Sequence, residues 1–377
     1  ANFGSDSSFA GNKTPQGNQD ANAVGDFYYA PPTGFLALCT KSLPSVDVIP
    51  SKNFNAVIWT GNATARNIDV GFQSDFTWVK ARSLAYSNRL VDSVRGAGGP
   101  TLESNNRNAE ITESTGVTAF NSTGFALGTA GGYNQNNGTF VAWNWKAGGS
   151  ASSNTNGSIT SQVSANVAAG FSIVSYTALD SDETVGHGLS QKPELVLVKR
   201  RNSVGHWVSH WTNLTTTNKQ LYLNLTNALD TNNINTVGAS TFRVNGWADV
   251  AAANATYIAY CFHSVDGYSL VGSYIGNANA NGPFVYCGFK PAFLMTKRTN
   301  GTGGWGIYDV ARDTYNQLTH HLYPDGSYVE GNSANYAIDF VSNGFKIRTS
   351  NTGINTNNAS YVFLAFAENP FKHSNAR

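Results

Sequence analysis

The chain has 377 residues, 41% hydrophobic and 12% aromatic but only 12% charged, with 24 basic against 23 acidic side chains and a net charge of +1. Such a chain lacks the basic stripe with which nucleic-acid binders neutralise phosphates, and it holds no run of about 18 apolar residues to cross a bilayer as a helix. Neither nucleic-acid binding nor membrane insertion is expected. The charged share is about half the usual one, so the polar surface must come from Asn, Ser, Thr and Gly. The 38 glycines, with Asn-Gly pairs such as Asn137-Gly138 and Asn281-Gly282, supply the positive φ angles of tight hairpins. Apolar runs are short and rich in Val, Ile, Tyr and Phe, with no helical stripe over three turns. The fold class is all-β.

In chain order, residues 1–46 begin with a Gly/Asn/Ser-rich stretch and continue into the aromatic segment Phe27-Tyr28-Tyr29-Ala30-Pro31-Pro32-Thr33-Gly34-Phe35-Leu36-Ala37-Leu38-Cys39. From there the chain repeats itself three times. Val79-Lys80-Ala81-Arg82, Val198-Lys199-Arg200 and Thr296-Lys297-Arg298 each end an apolar run. Each is preceded by an opening strand (around Val57, Ile173 and Gly272) and followed by a glycine-aromatic pair, assigned as Gly124-Phe125, Gly246-Trp247 and Gly344-Phe345. A closing strand ends each unit: Phe140–Trp145, Tyr257–Phe262 and Tyr361–Phe366. Units of roughly a hundred residues are domains rather than solenoid turns. The expected organisation is therefore residues 1–46 as an N-terminal docking arm or sandwich remnant, repeat 1 at 47–149, a linker at 150–156, repeat 2 at 157–265 and repeat 3 at 266–377. Each repeat is expected to be a jelly-roll or concanavalin-like β-sandwich.

The three cysteines, Cys39, Cys261 and Cys287, cannot build a disulfide framework, and the last two read as small buried hydrophobes. Candidate chemistry is sparse. Trp207, Ser209 and Trp211 share one face of a strand with His210 opposite, and Trp305 sits at the offset of Trp207. These four, Trp207, His210, Trp211 and Trp305, are either core aromatics or a stacking platform for sugars, and the recurrence of the tryptophan favours the core for Trp207. Asp92/Arg95 and Asp309/Arg312 follow Lys80 and Lys297 at equal offsets, where copy two has Trp211 and Leu214. A duplicated ion pair is expected to be a structural clasp. Adjacent His320 and His321 would point to opposite faces of a strand and so would not share a metal there, although a loop would allow it. Glu103, Glu110 and Glu330 lack a marked carboxylate partner for glycoside hydrolysis, and Gly96-Ala97-Gly98-Gly99-Pro100 lacks the ending of a phosphate loop. No catalytic residue, metal site or cofactor is expected.

Two resemblances add to this reading. Asn2-Phe3-Gly4 followed by the Pro31-Pro32-Thr33-Gly34-Phe35 segment resembles the last strands of a SPRY (B30.2) sandwich, with Ser5 where that pattern has Gln. The motifs Gly71-Phe72-Gln73-Ser74-Asp75-Phe76-Thr77-Trp78-Val79-Lys80, Val141-Ala142-Trp143-Asn144-Trp145-Lys146-Ala147 and Ala365-Phe366-Ala367-Glu368-Asn369-Pro370-Phe371-Lys372 resemble a family of large proteins of tailed bacteriophages of aquatic bacteria. That resemblance implies a virion component, fibre-like, as a homo-oligomer such as a trimer, and the odd cysteine count suggests assembly in the reducing host cytoplasm. Its implied partners are other virion proteins and a host glycan or surface protein. An architectural cement protein and a polysaccharide depolymerase are the alternatives. Binding is expected in the loops after each lysine and in the Trp207–Trp211 segment, because these differ between copies.

Overall fold

A computed structural model describes residues 11–37, 48–179, 181–212, 214, 219–231 and 234–368, which fall into two compact units split between 37 and 48. In the smaller unit Asn18 and Phe27 form an antiparallel bridge. The carboxylate of buried Asp20 collects the N–H groups of Asn22, Val24 and Ala37 at 2.8, 3.0 and 2.7 Å, tying a turn to the end of the aromatic segment. Asn2, Phe3, Gly4, Ser5 and Cys39 of the expected sandwich remnant lie outside the described residues.

The larger unit is built almost wholly of antiparallel strands. Its pairing repeats three times. Opening strands Phe54–Thr60, Phe171–Thr177 and Ser269–Ile275 pair with closing strands Thr139–Trp145, Thr256–Phe262 and Ser360–Ala367 in the same register, Thr60, Thr177 and Ile275 facing Thr139, Thr256 and Ser360. Each closing strand then pairs with a lysine strand, Phe76–Ala81, Leu195–Arg200 or Pro291–Arg298. A small three-stranded sheet completes each sandwich: Arg66–Asp69, Gly124–Leu127 and Val117–Asn121 in the first, with counterparts in the second and third.

The apolar runs of the lysine strands follow from burial on both faces. Val79, Val198 and Leu294 face the small sheet of their own sandwich. Alternate residues, Trp78, Leu197 and Met295, face a core that all three sandwiches share. Phe76 stacks on Tyr260 at 4.1 Å, Phe54 on Phe366 at 4.9 Å, and Phe262 meets Phe366 edge-on at 6.1 Å, so rings of every repeat meet rings of the other two. The sequence suggested a row of domains; the described residues 48–368 instead close around one aromatic centre. Part of the expected linker is ordered as well, since Ser152–Asn154 pairs with Ser161–Asn166, which in turn covers the opening strand of the second repeat.

One landmark is corrected by the register. The residue of the second repeat that occupies the place of Phe125 and Phe345 is Phe242, which pairs with Val185 as they pair with Ile68 and Val285. Gly246-Trp247 falls after that strand, with Trp247 at the N-cap of the one-turn helix Ala248–Ala251 and 43% exposed. The second repeat carries Thr241 where the others carry glycine, so the true counterpart lacks the Gly-aromatic pair that Gly246-Trp247 imitates.

Candidate functional site

The side chains at matched offsets meet at the junctions between repeats. Each lysine is buried and donates to the carbonyl of the residue that follows it: Lys80 Nζ to Ala81 O at 2.8 Å, Lys199 to Arg200 O at 2.8 Å and Lys297 to Arg298 O at 2.7 Å. Each also reaches a loop of another repeat. Lys80 donates to Ser327 O in the third (3.2 Å), Lys199 to Arg107 O in the first (3.4 Å), and Lys297 to Thr226 O and Asn227 O in the second (3.3 and 2.9 Å). The contacts run in cyclic order, one to three, three to two, two to one. Burial pushes all three ammonium groups down to about 8.

The position eight residues after each lysine repeats the cycle. Trp207 Nε1 donates to Glu103 O at 2.8 Å and Trp305 Nε1 to Tyr222 O at 3.1 Å, while in the first repeat Asn88 Nδ2 takes that part, donating to Tyr323 O at 3.0 Å. The backbone joins in. Glu110 N donates to Arg201 O at 2.8 Å, Leu229 N to Thr299 O at 2.8 Å and Glu330 N to Arg82 O at 2.7 Å.

Two of the three junctions add an ionic chain. Between the first and second repeats, Arg201 holds Glu110 through two bonds of 3.0 and 2.9 Å. Glu110 accepts from Arg95 at 2.9 Å, Arg95 Nε meets Asp92 Oδ2 at 2.5 Å, and Tyr260 OH donates to that same oxygen at 2.8 Å. Between the third and first, the corresponding chain is Arg82, Glu330, Arg312, Asp309 and the indole of Trp143. The side chains of Asp92, Arg95, Asp309 and Arg312 are 0% exposed. Burial works to raise the pKa of Glu110 and Glu330, but two arginines on each outweigh it and hold both below the usual carboxylate value.

Among the described residues, the junction between the second and third repeats has no such ionic chain. At the positions of Arg82 or Arg201, Glu110 or Glu330, Arg95 or Arg312, Asp92 or Asp309, and Tyr260 or Trp143 it carries Thr299, Leu229, Leu214, Trp211 and Leu364. These leucines and the tryptophan belong to or pack on the shared core. The replacement is complete, as it must be. A charge left behind without its partners would be buried unpaired, at about 3–5 kcal/mol.

Trp207, Trp211 and Trp305 therefore stand in the shared core, which corrects the stacking-platform alternative: no face of any of the three reaches solvent. His210, opposite them, is buried too, and desolvation pushes it down to about 4. His320 Nδ1 lies 2.5 Å from Asp313 Oδ1 and His321 Nε2 lies 2.6 Å from Tyr323 OH, so the two rings have separate partners. Among the described residues no group of three His, Cys, Asp or Glu side chains is placed to hold a metal. Cys261 and Cys287 are buried free thiols.

A family model described as a domain of unknown function, DUF7483, matches residues 49–370. The chain belongs to the DUF7483 family. No curated protein and no solved structure matches it. The DUF7483 match thus spans all three repeats and their shared core as one entity.

Within the DUF7483 region the outward face of the small sheets differs from copy to copy. Around the inward Ile68, Val185 and Val285, the flanking positions are Asn67 and Asp69 in the first repeat, Thr184 and Gly186 in the second, and Phe284 and Tyr286 in the third. Phe284 is 48% and Tyr286 66% exposed. The sequence reading missed this pair. Its signal was available, because Phe284-Val285-Tyr286 puts aromatics on both outward positions of a strand where the sister copies have polar or small residues.

Proposed function

We propose that the chain is a structural component of a bacteriophage particle, a fibre or appendage subunit that works beside other virion proteins and contacts the host surface through a glycan or a surface protein. The observation that carries this reading is how the shared chemistry is used: the lysines bond to loops of another repeat, Glu110 and Glu330 to Arg201 and Arg82 of another repeat, and Asp92 and Asp309 of the Asp-Arg pairs to Tyr260 and Trp143 of another repeat. The flanking positions of the small sheets differ between repeats and face outward, and a scaffold that presents variable positions is suited to recognition. The motif resemblance to tailed-phage proteins supports the same reading. Weak contacts of one subunit would add through the many copies on a particle. Homo-oligomerisation belongs to this proposal and is read by light scattering.

The test is mass spectrometry of purified particles from an encoding phage, together with binding of the purified chain to susceptible cells. Peptides of the chain in the particle and saturable cell binding are expected. Their absence from the particle would overturn the reading, and binding accompanied by release of oligosaccharide would replace it with the depolymerase.

A further inference from the structure

We infer that the outward face of the third small sheet is a binding site for an acidic pyranose polysaccharide, an inference that rests on the host-contact reading above and gives it a place. Three features that, among the described residues, occur together in the third repeat alone converge on this face. The first is the aromatic pair. Phe284 and Tyr286 stand two residues apart on Phe284–Tyr286, an edge strand of a rigid sheet, and offer flat rings for the apolar C–H face of a sugar.

The second feature is a longer loop. From the register-matched residue of the opening strand to the inward residue of the small sheet, Thr60 to Ile68 and Thr177 to Val185 span eight positions, whereas Ile275 to Val285 spans ten. The extra length lies in Asn277-Ala278-Asn279-Ala280-Asn281, every residue of which is exposed. Primary amides there can donate to and accept from ring hydroxyls.

The third feature is charge. Lys346 is the cross-strand partner of Phe284, and its ammonium donates to Gly282 O at 2.9 Å, which holds it at the foot of the amide loop beside the ring. Asp339, next in the same row, pairs with Arg348 at 3.2 Å. No carboxylate among the described residues pairs with Lys346, so its charge is open to a carboxylate on the ligand. The first repeat has Ala126 at this position, and the second has Arg243, paired with Asp182.

The experiment measures binding of the full chain to hyaluronan, alginate and polygalacturonate, with dextran as the uncharged control. At least one acidic polymer should bind at least tenfold more tightly than dextran. F284A/Y286A should weaken that binding at least tenfold, and K346Q should weaken it and flatten its salt dependence. All three side chains are exposed or half-exposed, so unchanged thermal melting is expected and is checked alongside. Binding of none of the three polymers, undiminished binding by F284A/Y286A, or a self-associated species that this variant abolishes would each overturn the site. Found in the particle but blind to these polymers, the chain would keep its proposed function and lose only this site.

Discussion

The indole N–H of Trp143, in the closing strand of the first repeat, donates to Oδ2 of Asp309 in the third across 2.9 Å. That oxygen also receives Arg312 Nε at 2.6 Å, so one carboxylate ends an ionic chain and fastens two repeats together. Asp309→Leu would leave Arg312 buried with one of its two carboxylate partners, and a loss of about 3–5 kcal/mol is expected from urea unfolding. The apolar junction supplies a control. Installing its whole set (Arg82→Thr, Glu330→Leu, Arg312→Leu, Asp309→Trp and Trp143→Leu) should restore stability to within about 2 kcal/mol of the parent, because exchanging a complete buried network costs far less than breaking one. If the fivefold variant is no better than Asp309→Leu, the correspondence drawn between the junctions is wrong.

Replacing a buried lysine by methionine removes the donor from carbonyls of two repeats at once. Lys297→Met leaves Thr226 O, Asn227 O and Arg298 O without it, and a loss of about 2–3 kcal/mol is expected. Hydrogen exchange localises the effect. Amides of the 226–229 loop should lose protection in this variant while those of the first repeat's small sheet keep theirs.

His210 gives the fold a pH dependence with a defined sign. Desolvation puts its folded pKa at about 4, below the ordinary 6.5, so between these values the unfolded chain binds a proton that the folded one does not. Its contribution is present above pH 6.5 and is lost as the pH falls toward 4, by up to about 3 kcal/mol. Unfolding midpoints of His210→Leu should fall less over that interval than those of the parent. Parallel curves for the two proteins would rule the effect out.

The corrected landmark is tested by two truncations in the second repeat. Phe242 is fully buried in the sandwich core and Trp247 is 43% exposed. Phe242→Ala should cost about 3–5 kcal/mol and Trp247→Ala less than about 1 kcal/mol. The reverse order of melting temperatures would restore Gly246-Trp247 as the landmark.

How far the candidate sites could be read ahead differs residue by residue. The Asp92/Arg95 and Asp309/Arg312 pairs were visible as equal offsets, since a pair three residues apart is local. Their continuation into Glu110, Arg201 and Tyr260, or into Glu330, Arg82 and Trp143, was not. Arg82 and Glu330 are 248 positions apart, and nothing local links them. The tryptophans were ambiguous for the same reason. Trp207 and Trp211 alternate as any half-buried strand would, and only the arrival of the other repeats decides that their outer face is covered.

Low charge, abundant glycine and short β-branched and aromatic runs determined an all-β chain by themselves, because backbone preference and alternation act over a few residues. Equal spacing of like residues likewise declared a threefold pattern in the sequence. What only the tertiary structure decided is that the sandwiches bury a second face each, in one common core. Which of the three junctions is ionic and which apolar was decided there too, as was the outward sheet face that carries exposed Phe284 and Tyr286. These depend on which distant side chains share a dry space, and the free energy of a buried charge or ring is set by that company rather than by its neighbours in the chain.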